Sequence, residues 1–174
     1  MGNFKMFMKN FWFSLLAYFA MYLVGALCLL FRNVTTHFSI VTDSPHGVPR
    51  GVEIVPWWVE IILWLHVLGS VAFYFYVGTR LKLIGNHFLN FLSVSASLAL
   101  GFFVIFLGIS NPYMLAFGGF SFLRLTILLW DWPNEYVATS IVSVLPTIII
   151  WLGMLYKIKN KLGDDSLARH EQQN

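Results

Sequence analysis

The stretch "WWVEIILWLHVLGS", residues 57–70, places an acid, Glu60, and an imidazole, His66, inside an otherwise apolar run. Either group could move a proton, meet a cation or hold a hydrogen bond, and lipid offers a partner for none of these. At about 100° per helical residue, a separation of six positions puts the two about 120° apart on the helix. They therefore do not form a paired acid and base.

Counting from Pro56 at one end and Arg80 at the other, Glu60 falls in the first outer turn and His66 near the middle of the span. Glu60 can reach headgroups or water, with Arg32, Arg50 and Arg124 as candidate ion-pair partners. His66 needs a hydroxyl or a backbone carbonyl from a neighbouring helix. The groups expected at its depth are Tyr18 and Tyr22 in the first apolar segment, Ser97 in the third, and Ser143 and Thr147 in the fourth. Two readings follow. One is a hydrogen bond that fixes helix orientation; the other is a proton or ligand path through His66 and Glu60.

No catalytic site is expected. The apolar segments hold no pair of carboxylates at one depth, and no Gly-rich phosphate loop is present. No cofactor or metal is called for either: Cys28 is the single cysteine, and His37, Asp43 and His46 lack an established ligand spacing.

The elements that must position these residues are set by composition. Hydrophobic residues make up 58% of the 174 positions and charged ones 11%, with a mean hydropathy of +0.72, whereas soluble domains carry roughly a quarter charged residues. Lipid is the implied solvent. Four segments are long enough to cross a bilayer, at about 11–31, 56–77, 88–109 and 136–156, and together they leave no room for a separate soluble domain. The apolar stretch after the basic start is too long for a signal peptide and stays as a helix. The fold class expected is an all-α antiparallel four-helix transmembrane bundle within a single membrane domain, residues 1–162.

The net charge of +3 comes from residues at segment ends, which argues for orientation and against nucleic acid. With a cytoplasmic N-terminus, Lys5, Lys9, Arg80, Lys82, Lys157, Lys159, Lys161 and Arg169 share one side, and Arg32, Arg50 and Arg124 the other. Eight against three puts both termini in the cytoplasm. The compact, nearly domain-free design suggests a bacterial cytoplasmic membrane.

Residues 112–135 are apolar enough to resemble a fifth span, but a fifth crossing would bury Arg124 in lipid at a cost of a few kcal/mol. The expectation is a helix over 121–130 lying in the outer interface or dipping partway in, entered through Gly118-Gly119 and ended by Trp132-Pro133, or a re-entrant hairpin of the same parity. In the other outer connection, "HFSIVT" and "GVEIV" flank turn formers and predict a short external hairpin. The tail over 163–174 is polar and expected to be disordered.

Helix packing is expected along small residues. Ser93, Ser97 and Gly101 recur every four positions on the third segment, and Pro146 favours a kink beside Ser143 and Thr147 on the fourth. With chemistry missing, the function expected is a non-enzymatic accessory, immunity-like or regulatory subunit. Its partners would be lipid and another membrane protein or a second copy of itself. A small transporter or channel using His66 and Glu60 is the alternative, and a quinone-binding enzyme a third.

Overall fold

The computed structural model describes residues 2–41, 50–84, 86–100, 120 and 135–171, with side chains described except at 37–41, 50–54, 135–140 and 161–171. Helix α1 spans Gly2–Thr35, α2 Trp57–Arg80, α3 His87–Ser93 and α4 Glu135–Glu171. Between α1 and α2, strand β1 (His37–Val41) pairs antiparallel with β2 (Arg50–Ile54), from His37 opposite Ile54 to Val41 opposite Arg50.

Among the described residues, three helices are long and apolar enough to cross a membrane: α1, α2 and the 141–160 part of α4. An α-helix satisfies its own backbone polar groups, the condition lipid imposes on any crossing segment. Pro56 precedes the first turn of α2 with an extended backbone, a place where a missing N–H costs nothing. α2 buries Val59, Leu63, Val67, Ser70, Tyr74 and Gly78, a stripe at spacings of three and four that marks one helix face. α1 buries a stripe of mostly small residues beside one tyrosine, Asn10, Ser14, Ala17, Tyr18 and Gly25.

Chain direction follows from ring contacts. Phe31, late in α1, meets Trp58 at the start of α2 with centroids 5.8 Å apart, so α1 and α2 are antiparallel. Phe75 meets Tyr156 at 5.6 Å, and Gly78 faces Gly153 while Leu81, three residues on, accepts from Lys157, so α2 and α4 run the same way. Phe91 of α3 meets Trp151 at 5.7 Å.

The third expected span is not one continuous helix over its described part. α3 ends at Ser93, and Val94 and Ser95 donate to Phe91 and Leu92, three residues back, before helical geometry resumes at Ala96. The cause is local. The hydroxyls of Ser93 and Ser95 donate to the carbonyls of Asn90 and Leu92 at 2.8 Å each, competing with the helical ladder for the same acceptors. The break interrupts the proposed Ser93, Ser97, Gly101 ridge, and Gly101 lies outside the described residues.

One further expectation changes. α4 continues through Gly163 to Glu171 where a disordered tail was expected. A single glycine costs a helix about 1 kcal/mol, and Asp165 stands four residues before Arg169, a spacing that supports helix. Pro146 lies buried within α4.

The core joins Ala17, Val67, Tyr74, Val94, Phe120, Val142, Ile150 and Met154. Phe120 is 1% exposed and stacks on Tyr74 at 5.9 Å. Tyr74 is 17 residues past Trp57, about 25 Å along α2. Phe120 therefore belongs to the deep core and not to a surface at the level of Trp57. The rest of 112–135, Arg124 included, lies outside the described residues.

Candidate functional site

The densest polar construction surrounds the turn between α2 and α3, residues 81–86. A turn at a helix end exposes backbone groups that the helices leave unpaired. Here side chains from three helices take them. Asn10 of α1 donates through Nδ2 to the Lys82 carbonyl at 2.7 Å and accepts through Oδ1 from the Lys82 N–H at 3.3 Å. Asn90 of α3 accepts from the Ile84 N–H at 2.8 Å. Lys157 of α4 donates through Nζ to the Leu81 carbonyl at 2.9 Å.

Asn86 caps α3 by accepting from the Phe88 N–H at 2.9 Å, the usual work of a side-chain oxygen at that position. Asn10 also donates to Ser93 Oγ at 3.4 Å, joining α1 directly to α3. Asn10 and Asn90 are buried at 1% and 3% exposure, and a buried amide is tolerated only when paired. The arrangement locks four segments at one end of the molecule. None of Asn10, Asn90 and Lys157 was singled out from the sequence. Asn10 and Lys157 look like ordinary polar flanks of apolar runs, and Asn90 is a single polar residue near a predicted helix start.

A second junction lies about two turns deeper. Ser97 Oγ and Thr147 Oγ1 are 2.6 Å apart, and Thr147 donates to the Val94 carbonyl at 3.4 Å, the carbonyl at the α3 break. Two residues predicted to share a depth are thus in contact. Ser143 is buried on the same helix.

The other predicted site residues lie on α1 and α2. His66 is half-buried on α2, and its carbonyl accepts from Ser70 Oγ at 2.8 Å. Glu60 is exposed in the first turn of α2. Tyr18 is fully buried and Tyr22 half-buried on α1. Among the described residues no three His, Cys, Asp or Glu side chains could hold a metal ion; Asp43 and His46 lie outside them.

Compared with known protein families, curated proteins and solved structures, the chain matches none.

Proposed function

We propose that this chain is a multi-pass protein of the cell membrane, an antiparallel four-helix bundle with both ends cytoplasmic. In this reading it acts as an accessory or regulatory subunit on a partner membrane protein or lipid. The strand pair 37–54 and the residues before α4 would cap its external side, and a bacterial cytoplasmic membrane suits the design. The chain directions derived from the ring contacts support the bundle. Lys5, Lys9, Arg80, Lys82, Lys157 and Lys159 at the end opposite Arg32 and Glu60 support the orientation.

The observation that carries the functional reading is the use made of buried polar groups. Asn10, Asn90, Ser97, Thr147 and Lys157 join helices or a turn, and such contacts are the usual polar glue of membrane helices. Meanwhile α1 leaves a broad apolar face open, with Leu16, Leu23, Leu27 and Leu30 at least 60% exposed. That face suits lipid or a partner helix.

A photo-crosslinking residue at Leu23 or Leu27, used in intact membranes and followed by mass spectrometry, tests the proposal. Adducts to one recurring membrane protein are expected. Ion or solute flux in liposomes that His66→Ala abolishes, with no adduct, would replace this reading by the transporter.

A further inference from the structure

Three cations, Lys9, Arg80 and Lys82, line one cleft between the early turns of α1 and the end of α2. The cleft encloses about 320 Å³, within the size range of small-ligand pockets. No carboxylate is among its described lining residues. Glu60 stands 20 residues before Arg80, about 30 Å along the helix. Three like charges at one cleft repel one another until an anion joins them.

Among the described residues the cations are ordered without being neutralised. Lys9 Nζ lies 5.7 Å from the Phe13 ring centroid, and Arg80 Cζ lies 5.0 Å from that of Tyr76. A ring face attracts a cation and leaves its N–H groups available to an anion. In each pair the ring is four residues from its cation, about 6 Å nearer the middle of its helix. Because α1 and α2 are antiparallel, both cations stand at the mouth and both rings one turn deeper. Asn10 fixes the backbone of Lys82 beside them.

From the mouth inward the cleft thus presents charge, then the apolar wall formed by the rings of Phe13 and Tyr76 with Val77 beside them. An anionic phospholipid presents phosphate, then glycerol, then acyl chain in the same order. We infer that this cleft binds the phosphodiester headgroup of an anionic phospholipid. Arg80 meets the phosphate oxygens with its planar fork, Lys9 and Lys82 add ammonium charge, and the first acyl methylenes lie against Phe13 and Tyr76. The apolar wall selects lipid over free phosphate. This inference rests on the membrane reading above.

Native mass spectrometry of the full chain in mild detergent provides the test, with phosphatidylglycerol, phosphatidylcholine or inorganic phosphate added at equal concentration. One tightly held phosphatidylglycerol is expected, with phosphatidylcholine and inorganic phosphate held far less. Arg80→Gln, Lys9→Gln and Lys82→Gln should each weaken it about fivefold, the effect of about 1 kcal/mol per cation. Lys5→Gln and Lys159→Gln should leave it unchanged. All these side chains are solvent-facing or at helix ends, and unchanged melting of the lipid-free variants verifies their folding. Equal retention of phosphatidylcholine, equal retention of inorganic phosphate, or equal loss with the two control variants would overturn the inference. Carbonate extraction of cell membranes separates the two levels: a chain that washes off refutes the membrane reading, whereas a chain that stays but shows no lipid selectivity refutes the cleft alone.

Discussion

Gly78 of α2 and Gly153 of α4 face each other so closely that a Cβ built on either lies 3.0 Å from the Cα of the other. A Cβ on Gly78 would also press on the backbone carbonyl of Ile150, and one on Gly153 on that of Phe75. Backbone cannot yield as a side-chain tip can. Gly78→Ala and Gly153→Ala should therefore each destabilise the protein by about 1–3 kcal/mol, the usual cost of overpacking. Gly69, with nothing within 4 Å of a built Cβ, supplies the contrast: Gly69→Ala should be neutral or stabilising by up to about 1 kcal/mol, since alanine suits a helix interior better. Unfolding in mild detergent, followed by circular dichroism, measures all three. A Gly78→Ala protein as stable as Gly69→Ala would mean that α2 and α4 do not cross at these glycines.

The Asn10 amide pairs with both backbone groups of Lys82 at once. Asn10→Leu keeps the side chain close in volume but leaves the Lys82 N–H and carbonyl without that partner, at an expected cost of about 1–3 kcal/mol. Amide hydrogen exchange should quicken at Lys82 and Ile84 while the middle of α2 keeps its protection. Uniform quickening along α2 would show instead that Asn10 supports the whole bundle and not the turn.

Much of this architecture is legible in the sequence, and the illegible part has a physical cause. Apolar run length locates α1, α2 and α4 because lipid demands about 20 apolar residues per crossing. Counting residues along each helix also places Ser97 and Thr147 at one depth, where they meet. Depth alone does not fix rotation about the helix axis. Thus Tyr18 and Tyr22, chosen at one depth, differ in burial, the first fully buried and the second half-buried. Gly78 reads as a helix-end residue until a second helix is laid against it, and the break at Val94 depends on two serine hydroxyls turning to their own backbone. Asn10 and Lys157 pair with a turn 72 and 76 positions away in the chain, a relation no local pattern contains.

The Ser97 and Thr147 hydroxyls couple the helical stretch after the α3 break to α4, and a double-mutant cycle isolates that coupling. Thr147→Val preserves shape and Ser97→Ala removes one hydroxyl group. The expected interaction energy is about 0.6–1.7 kcal/mol, the range measured for polar contacts between membrane helices. Thr147→Val should cost more than Ser97→Ala, because Thr147 also donates to Val94 and that carbonyl then loses a donor. Strict additivity of the two substitutions in detergent unfolding would remove this contact from the forces holding that stretch in place.

Orientation can be tested independently of stability. Basic residues resist translocation, and Lys82 and Lys157 sit together at the turn held by Asn10, so one end of the bundle carries the positive charge. Val34, 74% exposed near the end of α1, and Lys159, exposed on α4, mark opposite ends. In a Cys28→Ser background, Val34→Cys should react with a membrane-impermeant maleimide added to intact cells. Lys159→Cys should react only after permeabilisation. Labelling of both from outside would require an even number of crossings between them, while the reversed pattern would invert the bundle and put the Lys9, Arg80 and Lys82 cleft on the external face.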